Sequence, residues 1–292
     1  MQGWCGLRDP RAGRMLAMLC AVALVLVTMS PGDSSSEGSD ARAADLLDRA
    51  FRNRYEMDTA QRIDLTVRNR VGAERRHTVE IATKRIDGRL HSLGRFIQPP
   101  DLRGTSILII ENEDRSDDHF VYFPYMEKVR RIGSSQRADA FMGTDLTYED
   151  FERRYADDYD VVGQRPETLD DEDVVLVSAS PRYDSGYARA EFAIATSDFA
   201  ILRIRYFKQA DADEPSRILR APRARMSRIG GHTLPTWMEV TDLRRQTTTE
   251  VRVQHIDVNP VLPDELFSAV SLRLRKRIPF SGTPFGGSSS TD

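Results

Sequence analysis

Apolar residues along this chain alternate far more often than they recur at helical spacing. Residues 62–71 set Ile63, Leu65 and Val67 against Asp64, Thr66 and Arg68, the period of a strand with one wet face. Gly72 and Ala73 make a turn, and Val79, Ile81 and Thr83 continue the alternation, which predicts an antiparallel meander. Further strands are predicted at 90–98, 106–112, 120–123, 127–132, 174–180, 188–195, 200–208, 216–229, 236–243 and 250–258. Turn clusters such as Pro99-Pro100-Asp101, Asp198 and Gly230-Gly231 part them. Strand upon strand without alternating helices argues for one large antiparallel sheet, curved or closed, rather than a parallel α/β fold. Residues 107–110 and 120–123 are apolar on both faces, so both sides of the sheet need a cover. Helices on one side and a ligand on the other would supply it.

Helical signals are few. Leu47, Phe51 and Tyr55 fall four apart beside Ala50, one apolar stripe on a helix over 44–55. A second helix is predicted from Thr147, where Thr147 and Asp150 have the spacing of a capping box and Tyr148, Phe151 and Tyr155 share a face. Phe141-Met142-Gly143 precedes it with an aromatic, a thioether and a hinge-capable glycine, so the two together read either as a movable flap or as plain core. A short helix near 264–270 is expected to pack Leu266 and Phe267 on the sheet.

The N-terminus changes the compartment. Arg8, Arg11 and Arg14 precede an uncharged apolar run at 15–29, short for a membrane span and normal for a secretory signal. A polar spacer leads to Ala41-Arg42-Ala43, which sets a cleavage point before Ala44; an uncleaved anchor is the alternative. The organisation expected is a signal and spacer at 1–43, one domain at 44–280 and a disordered tail at 281–292. Cys5 and Cys20 both precede Ala44, so the exported domain is expected to form no disulfide and use no thiolate. The formal net charge of -3 removes the net basic character a nucleic-acid binder needs.

Catalytic grammar is missing. The chain has no G-x-S-x-G, H-E-x-x-H, P-loop or dinucleotide fingerprint, and no cofactor is implied. His77, His91, His119, His232 and His255 stand singly without metal-ligand spacing. The acids at 157–158 and 170–173 read as turns. A hydrolase built on Asp145 or Glu149 and one lone histidine is the weakest of the functional readings. Arg130 and Arg131 are adjacent on a strand and so point to opposite faces; both are solvated, or one stands at a cavity mouth, bonding a lid carbonyl or a ligand oxygen.

Phe96-x-x-Pro99-x-Asp101-x-Arg103-Gly104-Thr105, Tyr122-x-Pro124, Val129-Arg130-Arg131-Ile132 and the unbroken motif from Phe141 to Asp150 resemble the signature of the outer membrane lipoprotein-sorting protein family. These are LolA-like periplasmic proteins, often encoded beside RND or MMPL-type transporters. The resemblance implies a mainly β (α+β) fold, an incomplete antiparallel β-barrel whose curved sheet of about eleven strands is closed on its concave apolar face by helices. It also implies a non-catalytic periplasmic carrier for a lipoprotein or lipid, partnered by an inner-membrane transporter and touching membranes transiently. A lipid or lipoprotein sensor, or a transporter accessory subunit, is the alternative on the same fold. Expected ligand-facing residues are Phe96, Leu108, Ile110, Val121, Phe123, Phe141, Met142, Leu146, Tyr148 and Phe151, with one of Arg130 and Arg131 at the mouth. Strand parity is open, so Phe120 and Tyr122 are alternatives to Val121 and Phe123.

Overall fold

The computed structural model describes residues 34–113, 116–133, 136–274 and 276–280. The apolar run at 15–29 and the tail at 281–292 lie outside the described residues. Helix α1 (Ser34–Tyr55) leads into a six-strand meander: β1 (Thr59–Arg68), β2 (Glu74–Ile86), β3 (Arg89–Gln98), β4 (Ser106–Ile110), β5 (Asp118–Phe123) and β6 (Lys128–Ile132). A long connection carries 3-10 turns at Phe141–Gly143, Tyr148–Phe151 and Ala156–Asp158. A second meander follows: β7 (Tyr159–Leu169), β8 (Glu172–Pro181), β9 (Arg189–Ala195), β10 (Ile201–Phe207) and β11 (Arg217–Arg220). The hairpin of β12 (Met226–Ile229) and β13 (His232–Pro235) precedes β14 (Trp237–Asp242) and β15 (Thr247–Val258). A 3-10 turn at Asp264–Phe267 and helix α2 (Ala269–Leu274) end the described fold.

All strands but β12 and β13 join one 13-stranded sheet in the order 6-5-4-3-2-1-15-14-11-10-9-8-7. Every pairing is antiparallel, and β6 and β7 are free edges, so the sheet is not closed into a barrel. One buried cluster takes Val121 from β5 and Val177 from β8, near opposite edges, together with Leu47 and Phe51 of α1. So broad a sheet reaches a common core only by curling around it. The first and last parts of the chain meet at its centre, where β1 lies against β15.

Two covers seal the sheet, and both are protein. On the concave side α1 buries Ala43, Leu47, Ala50 and Phe51, the larger two contributing about 2 kcal/mol each by area. The connection from β6 to β7 lies beside α1, because consecutive strands on opposite edges force the chain across the whole face. On the convex side residues after β15 place Leu262, Leu266, Phe267, Leu272 and Ile278 on Ala82, Leu93, Leu108 and Tyr122. The doubly apolar strands are thus covered by chain on each side, where a ligand was expected on one.

Three elements differ from expectation. Helix α1 starts at Ser34 rather than Ala44, steadied by Asp45–Arg49 and Asp48–Arg52 pairs at 2.9 and 2.8 Å and by Gln164 Nε2, which donates to the Ser39 carbonyl at 2.9 Å. Strand β7 was not predicted; Pro166 and Gly163 sit in it, tolerable because β7 is an edge strand with a bulge at 161–163. The stretch 216–229 breaks at Pro222 into β11 and β12.

Candidate functional site

The concave face holds a cavity of about 190 Å³ at the middle of the sheet. Thr59, Gln61 and Ile63 of β1 share one parity and form its floor, flanked by Ile81 and Thr83 of β2 and by Val251 and Val253 of β15. A bulge on β15, where Arg62 faces His255 but Ile63 faces Val253, inserts Gln254 and shifts the parity. Ile256 thereby joins Val251 and Val253 on the cavity wall, and His255 turns to stack edge-on against Phe280 on the convex side. The roof is Tyr55 and Met57 at the end of α1, with Leu146 and Phe151 from the crossing connection. The cavity's polar lining is Arg54 and Asp150 beside the roof, with Thr59, Gln61, Thr83 and Ser92. Gln61 Nε2 donates to Thr59 Oγ1 at 3.1 Å, and the Thr59 and Thr83 hydroxyls lie 2.9 Å apart, so these floor groups satisfy one another.

The crossing connection is tied down at every turn. Met142 and Gly143 adopt left-handed φ of 49° and 75°, and Arg75 donates to the Gly143 carbonyl at 3.3 Å. Asp145 is 2 % exposed; its carboxylate accepts from Arg245 at 2.8 Å, from the Thr249 hydroxyl at 2.8 Å and from Thr247. Asp150 Oδ2 accepts from the Thr147 amide at 2.6 Å, its hydroxyl at 3.0 Å and buried Arg217. The predicted helix from Thr147 ends there after one 3-10 turn. Glu152 is already extended, drawn to Arg137 and Arg154, and tertiary ion pairing overrides the helical spacing. Gly186 lets this connection approach its neighbour: a Cβ there would stand 2.6 Å from the Ala138 Cβ.

Glu152 is the most enclosed charge described. Arg137 Nε donates to it at 2.6 Å, Arg154 Nη1 stands 2.7 Å away, and His119 Nε2 lies 2.9 Å away. Burial acts to raise its pKa; His119 and the two arginines outweigh burial and hold it at about 2. Asp117 shows the reverse: burial, reinforced by the charge of Glu152, pushes its carboxyl up to about 6. The folded state therefore binds this proton more tightly than the unfolded one, and stability is lost as pH rises between about 4 and 6. Asp117→Asn is accordingly expected to raise the unfolding free energy read from urea titration at pH 7.5 by about 1 kcal/mol, and to change it little at pH 3.5.

Of the residues expected to face a ligand, Leu146 and Phe151 line the cavity. Phe96, Val121, Phe123, Phe141, Met142 and Tyr148 lie on the concave side, packed into the core around Phe141, whose ring centroid is 5.5 Å from those of Phe96 and Tyr148. Parity on β5 resolves to Val121 and Phe123 inside, with Phe120 and Tyr122 on the convex side. Leu108 and Ile110 also face the convex side, beneath the C-terminal cover, because Ile107 and Ile109 take the inward positions on β4. Arg130 and Arg131 are exposed on edge strand β6, with Arg131 paired to Asp118; the lid carbonyls are held instead by Arg75 and Arg245. Of the alternating Ile63, Leu65 and Val67, Ile63 lies on the cavity floor.

No group of three or more potential metal ligands occurs among the described residues. The hydrogen bonds of the Asp145 carboxylate run to Arg245, Thr247 and Thr249, and Glu149 accepts from Ser185 at 3.1 Å; neither is a carboxylate–histidine pair.

An open, strongly curved antiparallel sheet around an apolar cavity roofed by a helix and a crossing connection is the LolA-like fold. A putative outer membrane lipoprotein-sorting protein domain from Vibrio parahaemolyticus matches with a TM-score of 0.73 at 18% identity, over 80% of this chain and 99% of its own. A DUF1329 family protein from Desulfovibrio piger matches with a TM-score of 0.73 at 24% identity and the same two coverages. A LolA superfamily protein from Nitrosomonas europaea follows at 0.61 and 19%, over 78% of this chain and 98% of its own. A family model described as "Uncharacterized protein" matches residues 88–274, and the chain belongs to that family. No curated protein matches the sequence.

Proposed function

We propose that this chain is a non-catalytic periplasmic carrier that binds the acyl part of a lipoprotein or lipid in the central cavity. In this reading it moves its cargo between membranes, receiving or delivering it with an RND/MMPL-type transporter. The observation that carries the reading is the cavity itself, with aliphatic walls and a roof made of two separate pieces of chain. The likeness in fold to a putative outer membrane lipoprotein-sorting protein domain and the signal-like N-terminus support it. An acyl chain of about 16 carbons costs on the order of 13 kcal/mol to hold in water, so a soluble carrier needs such a surface.

Size sets a condition. A dry cavity of about 150 Å³ takes one benzene, so about 190 Å³ accepts one end of an acyl chain and the remainder requires the roof to part. The crossing connection is pinned by the buried Asp150–Arg217 pair and by buried Asp145, which pairs with exposed Arg245. The end of α1 is tied by Asn53, which donates to the Thr233 carbonyl at 2.9 Å and accepts from the Thr233 amide at 3.0 Å, net about 1 kcal/mol each. Opening therefore falls to the last turn of α1 rather than to a hinge at Gly143.

Native mass spectrometry of protein recovered from its host without detergent, followed by organic extraction, tests the proposal. A bound acylated species is the expected result. Protein that is empty and takes up neither added lipid nor acylated peptide would reject the carrier reading.

A further inference from the structure

Helix α2 turns two of its largest apolar side chains to solvent. Val270 is 65% exposed and Leu274 62%, four residues apart and so on one face, while Ser271 and Leu272 are buried. Val261, in the same convex cover, is 94% exposed. Single exposed aliphatics are ordinary, but the residues around these add a second feature. Residues 266–280 contain Arg273, Arg275, Lys276 and Arg277 and no Asp or Glu, in a chain whose formal net charge is -3. Arg273, Lys276 and Arg277 are exposed. The nearest preceding acids are Asp264, which pairs with Lys84 at 2.7 Å, and Glu265.

The segment is also held in place. Buried Arg95 reaches from β3 to the carbonyls of Lys276 and, at 3.4 Å, Ser271, while Leu272 and Ile278 anchor in the convex core. The cations are thus presented beside Val270 and Leu274 by a fixed backbone.

We propose that this convex face docks on the surface of an anionic lipid bilayer, Val270 and Leu274 entering the headgroup boundary and Arg273, Lys276 and Arg277 engaging acidic headgroups. The charge pattern selects this occupant: aliphatics bordered by cations without acids characterise interfacial segments. A protein interface depletes charge at its centre and needs roughly 800 Å² on each partner, more than a six-residue helix offers. A bilayer needs no matching shape. The inference goes beyond cargo binding and is separable from it, since failure to dock would leave a cavity ligand in place.

The test is sedimentation of the full chain with phosphatidylglycerol vesicles and with phosphatidylcholine vesicles at low salt. Two variants accompany it, Val270→Ser with Leu274→Ser, and Arg273→Ser with Lys276→Ser and Arg277→Ser, all at exposed positions and checked by circular dichroism. The chain is expected to sediment with phosphatidylglycerol in preference to phosphatidylcholine, and each variant to partition at least about tenfold less. No binding to phosphatidylglycerol, equal binding to both lipids, or variants that bind as the parent does would overturn the proposal. The last result would assign any binding to the apolar run at 15–29.

Discussion

A Val253→Asp variant is expected to bind a fluorescent fatty acid at least about a hundredfold more weakly than the parent while keeping its circular dichroism spectrum. Val253 stands half-buried on β15 opposite Ile63, on the wall of the central cavity. In the empty protein its carboxylate keeps contact with water, so the fold bears little of the cost. A bound acyl chain would strip that water, and a carboxylate turned toward methylenes loses several kcal/mol of solvation, more than the 2.7 kcal/mol a hundredfold represents. Arg130→Asp on the exposed edge strand provides the control and should leave affinity unchanged. Titration by fluorescence reads both. Undiminished binding by Val253→Asp would move the acyl site out of this cavity.

The second large effect concerns stability. Glu152→Gln is expected to destabilise the protein by about 3 kcal/mol at pH 7, because Arg137 and Arg154 would remain buried without their counter-charge. The pH dependence follows from the depressed carboxyl. Its folded value of about 2 lies below the ordinary 4.5, so its contribution is complete above about 4.5 and disappears as pH falls towards 2. Urea midpoints of parent and variant should therefore converge on going from pH 7 to pH 2.5. A constant gap across that range would mean that the side chain acts through packing instead of charge.

Most of the sheet was legible because one face of each strand is buried and alternation records it, as at Ile63, Leu65 and Val67. Legibility failed where another force displaced the pattern. Edge strand β7 hides behind Pro166 and its polar residues, since an edge needs neither a full hydrogen-bond ladder nor two apolar faces. Glu152 reads as the interior of a helix, yet the chain is extended there, where its carboxylate pairs with Arg137 and Arg154. The site was harder still. On β4 all of Ile107, Leu108, Ile109 and Ile110 are apolar, so parity could not tell cavity side from convex side, and Leu108 and Ile110 face away. On β15 a bulge breaks alternation in Val251, Val253 and Ile256, and only pairing with β1 reveals that the three share a wall. Within residues 141–150, Leu146 lines the cavity, whereas Phe141 packs into the core behind it.

The meeting of β1 with β15 also orders events in the life of the chain. Each meander closes between sequence neighbours, but Val251 and Val253, which complete the cavity wall, follow nearly all the rest. A chain still emerging from a ribosome or a translocation channel can form local hairpins, yet its sheet lacks its central strand until residue 258 is free. The cavity thus comes into being last, so an incomplete chain offers no enclosed apolar site in which a ligand could lodge too early.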